Sequence, residues 1–239
     1  MKSKKAGRIA ATWYAMAVVL ALGSLIAGPP HLEGLAQVSI PEEIEWTWEV
    51  RPAASDPGLP NVLLLGDSIT RNYYPAVARR LAGKANVFLL ATSTSVGDPR
   101  LGPEIMQFSS MEAVHFSVVH FNNGMHGWAY TEPQYRAAFP GLFQTLRSMW
   151  PRAKLIWATT TPVRPDAKTG ATNPRIDERN AIALSLIHGS DIAIDDEHAL
   201  MLKHADLYQD AVHFNEEGAE IQASQVAAGI QAALSGTPR

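Results

Sequence analysis

From Asn61 onward, short apolar runs alternate with longer segments whose apolar residues recur every three or four positions. The runs Val62–Leu65, Val87–Leu90, Phe116–Phe121, Leu155–Ala158 and Ile192–Ile194 are too short for helices and suit strands buried on both faces. Between and after them the spacing predicts helices over Asn72–Ala82, near Pro103–Met111, and over Pro133–Trp150, Ile176–His188 and Glu216–Leu234. Pro133 and Pro174 stand near helix starts, where proline is tolerated. Strand and helix in strict alternation imply a parallel sheet covered on both faces. With right-handed crossovers, the simplest arrangement is an α/β fold: a three-layer α/β/α sandwich, flavodoxin-like, with a five-stranded parallel sheet.

The first sixty residues read differently. Lys2, Lys4, Lys5 and Arg8 precede a charge-free, mostly apolar run from Ile9 to Ala27, and Gly28-Pro29-Pro30 ends it. Residues 1–36 are expected to form a signal peptide, cut after Gly34-Leu35-Ala36, or an uncleaved N-terminal membrane anchor, the run being near the ~20 residues that span a bilayer. In either case the domain is expected on the outer side, exported or anchored facing outward. Residues 37–60 form a leader and connector. Within it, Glu45–Val50 alternates like a short strand with Trp46 and Trp48 on one side, expected as a flap on the domain surface rather than a sugar-stacking platform. The domain proper is expected over 61–235, with 236–239 as a tail.

Composition narrows the chemistry. The 239 residues are 46% hydrophobic and 18% charged, enough for a substantial core. A formal net charge of −3, with no basic stripe beyond the N-terminus, leaves no footprint for nucleic acid. There is no cysteine, which excludes thiol catalysis, disulfides, thiolate metal sites and a cysteine-linked lipid anchor.

In an open α/β sheet, ligands bind beyond the carboxyl ends of the strands. The first such loop holds Gly66-Asp67-Ser68-Ile69-Thr70, with Ser68 entering a helix whose first-turn N–H groups favour developing negative charge. The second is Thr92–Pro99, small and polar. The third is Asn122-Asn123-Gly124-Met125-His126-Gly127, and the last is Asp210-Ala211-Val212-His213, just before the final helix. Asp210 lies close enough to His213 through a turn for its carboxylate to meet the imidazole. Asp195-Asp196-Glu197-His198 has no ordered ligand spacing and is read as a capping and surface cluster, so no metal site is expected. Arg164 and Arg175 are read as solvated loop charges.

These blocks, spread over about 61–235, resemble the SGNH hydrolases, the GDSL esterase/lipase superfamily. Gly-Asp-Ser alone recurs by chance; its pairing with Asp-x-x-His about 140 residues later is far more specific. The resemblance implies that Ser68 attacks an acyl carbonyl, that His213 moves its proton, and that Asp210 orients His213. It implies an oxyanion hole from the Ser68 N–H, the N–H of Gly97 (the only glycine of the second loop), and a side chain of the third block. That block departs from the family's Gly-x-Asn-Asp: Gly124-Met125-His126-Gly127 puts His126 where asparagine is expected, with Asn122 and Asn123 as alternative donors. Trp128 and Tyr130 are candidate substrate-binding residues. The expected function is cleavage of carboxylic esters through an acyl-enzyme, on a small-molecule or glycan ester and without a cofactor. Short acetyl esters on carbohydrate or cell-envelope substrates are favoured because no long apolar insertion is present. Lysophospholipase or thioesterase chemistry, or a non-enzymatic glycan-binding scaffold, are the alternatives.

Overall fold

A computed structural model describes residues 38–167 and 170–236. The expected signal or anchor segment 1–36 and the last residues of the tail lie outside the described residues. Among those described, no helix is long and apolar enough to cross a membrane.

One six-stranded sheet organises the chain: β1 (Thr47–Val50), β2 (Asn61–Gly66), β3 (Asn86–Thr92), β4 (Phe116–Phe121), β5 (Lys154–Ala158) and β6 (Ala193–Asp195), in spatial order β1-β3-β2-β4-β5-β6. The five predicted strands are all present and all pair in parallel with one another. Their order puts the topological switch at β2, with β3 on one side and β4 on the other, the flavodoxin-like arrangement in which ligands sit at the switch. The sixth strand corrects the expected count. β1 runs antiparallel to β3, pairing Thr47 with Thr92 and Val50 with Leu89. The flap of the leader is thus an edge strand of the sheet. Its mostly exposed residues give it no core-strand pattern in the sequence.

The helices are α1 (Ser68–Arg80), α2 (Leu101–Glu112), α3 (Glu132–Met149), α4 (Asn173–Ile187), the short α5 (Glu197–Met201) and α6 (Glu216–Ser235). Period-two alternation on the strands feeds two cores. Leu63, Leu65, Phe88 and Phe121 face Ile105, Phe139, Leu146 and Ala183 of α2, α3 and α4. Val62, Leu64, Val87 and Val118 face Tyr73, Val77, Ala223 and Val226 of α1 and α6. Helix α1 begins four residues before the predicted start. Asp67, held extended, caps it by accepting from the Ile69 N–H at 2.9 Å, and the cap box of Thr131 and Gln134 starts α3.

Candidate active site

The buried run Val62–Leu65 delivers Gly66 and the capping Asp67 to the carboxyl edge of the sheet, so that Ser68 is the first residue of α1 and partly exposed. The last loop reaches the same point from the other end of the chain. Its arms are pinned by the Tyr208–Phe214 bridge, by the Asn215 N–H on the Leu207 carbonyl, and by the Asn72 amide of α1 on the Phe214 carbonyl at 2.9 Å. Within it, Asp210 Oδ1 accepts from the N–H groups of Val212 (2.8 Å) and His213 (2.7 Å), while Oδ2 lies 2.9 Å from His213 Nδ1. The other ring nitrogen, Nε2, lies 2.6 Å from Ser68 Oγ. Burial alone would raise the Asp210 pKa, but the two backbone N–H groups and the imidazole outweigh it and hold the carboxyl below its usual range. An ionised carboxylate requires a proton on Nδ1, which leaves Nε2 free to accept from the serine.

The third block is placed beside this chain of contacts. His126 and Ser68 line one open cavity of about 340 Å³, together with Glu42, Met125, Trp128, Gly170, Ala171, Val212 and His213. His126 Nδ1 lies 2.9 Å from Glu42 Oε2, and its buried Nε2 has no hydrogen-bond partner. The two asparagines do not line the cavity. Asn123 is folded back on the second loop, accepting from the Val96 N–H and donating to the Thr94 carbonyl. Asn122 donates to the Ala158 carbonyl at 2.7 Å. Both amides brace neighbouring loops against the sheet, so of the third-block candidates only His126 lines the cavity, and its unengaged Nε2 is buried beside it.

Gly97 lies in the β3–α2 loop, packed against the face of Tyr130: a Cβ built there falls 2.6 Å from the ring. Tyr130 itself is buried and turns its hydroxyl toward the leader, accepting from the Ile40 N–H and lying 3.2 Å from the Val38 carbonyl and 3.3 Å from Asp98 Oδ2. Of the two aromatic candidates, Trp128 lines the cavity and Tyr130 instead braces the leader and the second loop. Gly97→Ala is therefore expected to destabilise the protein by about 1–3 kcal/mol through overpacking against a ring that cannot withdraw. The check is thermal unfolding, and an unchanged Tm would contradict this packing.

Several charged residues hold the site in ways the sequence does not announce. Arg179 of α4 is buried and donates to the carbonyls of Gly124 and His126 through Nη1 and of Gly127 and Tyr130 through Nη2. Burial lowers its pKa to about 10. Arg175, expected as a solvated charge, instead pairs with Glu132 at 2.6 Å and donates to the carbonyls of Trp128 and Tyr130, while Arg164 pairs with Asp166. The two α4 arginines clamp the 124–130 loop, where Gly127 takes φ +70° against the Ser95 side chain. The acidic run also differs from its surface reading. Asp196 caps α5, but Asp195 is buried against His120 at 3.0 Å and Glu197 is buried against Gln222, because α5 and α6 close over the end of β6. Among the described residues, no group of His, Asp or Glu is arranged to hold a metal ion.

No protein-family model matches the chain, and no curated protein sequence does. Solved structures do. The C-terminal catalytic domain of the peptidoglycan O-acetyltransferase A of Streptococcus pneumoniae superposes with a TM-score of 0.55 at 21% identity, over 74% of this chain and 96% of that one. A carbohydrate esterase family 3 protein of Talaromyces cellulolyticus gives 0.56 at 15%, over 75% and 100%. A member of the lipolytic G-D-S-L family from Veillonella parvula gives 0.56 at 17%, over 72% and 98%. The chain has the SGNH hydrolase fold.

Proposed function

We propose that the protein is a serine ester hydrolase acting through an acyl-enzyme, and the observation that carries this reading is the unbroken contact chain Ser68 Oγ–His213 Nε2 and His213 Nδ1–Asp210 Oδ2 at the switch point of an SGNH fold. Ser68 Oγ attacks the acyl carbonyl and its proton passes to His213 Nε2. The carbonyl electrons become an oxyanion, for which the Ser68 N–H at the first turn of α1 and the side chain of His126 are the donors that line the cavity. Collapse expels the alkoxide, which takes the proton from His213. Water then gives a proton to His213 and attacks the acyl-enzyme. A second collapse releases the acid, and Ser68 recovers its proton.

The substrate reading is a short acyl ester on a saccharide or envelope glycan, in a protein exported by its N-terminal segment. An open cavity of about 340 Å³ has room for an acetyl group, with the alcohol left at the surface. Outside it, the Arg71 guanidinium lies 5.3 Å from the Trp46 ring and 4.7 Å from that of half-exposed Trp48, a polar aromatic rim suited to a sugar. Two of the similar structures carry names of carbohydrate or peptidoglycan acyl chemistry. A p-nitrophenyl ester series from acetate to palmitate, followed by acetylated oligosaccharides, tests it. The expected kcat/KM is highest for acetate and falls beyond butyrate. A maximum at octanoate or longer would replace this substrate class with a lipid.

A further inference from the structure

We propose that Glu42, carried by the leader rather than by the α/β domain, is a positioning residue of the Ser68 site: it holds His126 as an imidazolium whose Nε2–H faces the oxyanion. This rests on the hydrolase reading above and on His126 as its third-block donor. The geometry is a second carboxylate–imidazole pair across the cavity from Asp210–His213. Glu42 Oε2 meets His126 Nδ1 at 2.9 Å, and Oε1 accepts from the Gly127 N–H at 3.0 Å, so one carboxylate fixes both the ring and the backbone beside it. The leader is itself anchored: Ser39 donates to Asp98, Ser93 donates to Glu45, Arg100 pairs with Glu45, and the Trp46 indole meets the His126 ring edge-on at 5.8 Å.

The charge state follows from proton counting. A carboxylate has no proton to give, so Nδ1 must carry one. If His126 were neutral, Nε2 would then be a bare lone pair directed at a developing anion, which is repulsive. Only the cation supplies an N–H on that side. In the Asp210–His213 pair the same arrangement is productive when neutral, because there Nε2 must accept from Ser68. The two pairs thus share a geometry and require opposite charge states.

The surroundings of His126 match that requirement. Burial opposes its ionisation, but the Glu42 hydrogen bond and the negative charges of Asp67, Glu42 and Glu45 outweigh it and raise its pKa above 6.5. Burial likewise opposes ionisation of Glu42, and His126 with the Gly127 N–H reverses the balance and lowers its pKa below 4.5. The positive groups facing this corner are Arg179, bonded to the His126 carbonyl, Arg71 beyond Trp46, and His213 across the cavity when it is protonated. A raised imidazole pKa contributes stability in full below the unfolded value and loses it as pH rises through the folded one. A lowered carboxyl pKa contributes above the unfolded value and loses it as pH falls through the folded one. The pair is therefore at full strength between about pH 4.5 and 6.5 and fades outside the shifted values.

The test compares Glu42→Ala, His126→Ala, His126→Asn and the double variant Glu42→Ala/His126→Asn in the full chain, with p-nitrophenyl acetate. The readouts are kcat, KM, the pH profile and the ¹H–¹³Cε1 titration of His126. His126→Ala is expected to lower kcat about 10²-fold. Glu42→Ala is expected to lower it about tenfold with KM little changed, and to move both the His126 titration and the basic limb of the profile to lower pH. His126→Asn, a neutral donor, should restore most of the turnover and remove that limb, and in its background Glu42→Ala should cost nothing further. A Glu42→Ala loss of equal size in the asparagine background, or an unshifted His126 titration, would show that Glu42 only holds the leader, overturning the proposal. Crippling by His126→Ala with a silent Glu42→Ala would overturn the positioning role alone. Unchanged turnover in His126→Ala, with Ser68 still essential, would overturn both the donor assignment and this inference while leaving the hydrolase intact.

Discussion

Ser68→Ala is expected to lower the hydrolysis of p-nitrophenyl acetate by about 10⁵–10⁶-fold and to abolish covalent labelling by a fluorophosphonate. The effect is large because, among the described residues, Ser68 is the hydroxyl hydrogen-bonded to the His213 ring. Ser68 Oγ is the atom within 2.6 Å of His213 Nε2, at the first turn of α1 and open to the cavity. The cost to folding is small: the side chain is partly exposed, and Asp67, not Ser68, caps α1. Stability should therefore stay within about 0.5 kcal/mol of the parent. His213→Ala is expected to do comparable damage, and the double variant little more, since nucleophile and base act as one unit. Hydrolysis and labelling that survive Ser68→Ala would place the chemistry elsewhere. Failure of the parent protein to hydrolyse any ester or take the label would favour a binding protein that retains the fold.

The parts of this site that the sequence discloses are those whose chemistry is local. Ser68 follows a four-residue apolar run and a glycine, and Asp210 and His213 share one turn, so residue type and spacing suffice to suggest them. The five parallel strands are legible for the same reason, each being a short apolar run between helical patterns. What stays hidden depends on tertiary orientation. Asn122 and Asn123 have the right chemistry for an oxyanion donor, but their amides are consumed by the Ala158 carbonyl and by the second loop. Arg179 looks like one more charge on a helix, and only the fold turns it inward onto the carbonyls of 124–130. Glu42 is hidden most completely. It lies in the polar, proline-containing part of the leader ahead of the alternating Glu45–Val50 stretch, 84 residues from His126, and reaches the cavity because β1 docks on the sheet edge.

Asp210→Asn is expected to lower kcat by about 10⁴-fold, a larger loss than the smaller side chain of Asp210→Ala would produce. The reason is orientation. Asp210 Oδ1 accepts two backbone N–H groups, from Val212 and His213, and an asparagine must keep its carbonyl oxygen there to satisfy them. Its NH₂ then occupies the place of Oδ2 and donates to His213 Nδ1, which must become the acceptor. The ring proton moves to Nε2, so the nitrogen facing Ser68 Oγ becomes a donor and loses the lone pair that receives the serine proton. Alanine imposes no tautomer. Asp210 is half exposed, so water can enter its place and the neutral ring can still present a lone pair to Ser68. Turnover and the rate of fluorophosphonate labelling, measured for both variants with circular dichroism as a check on folding, decide the matter. An asparagine variant that keeps more than about a tenth of the parent turnover would mean that Asp210 does not set the His213 tautomer, and the loop Tyr208–Phe214 would then matter for placing His213 rather than for fixing its proton.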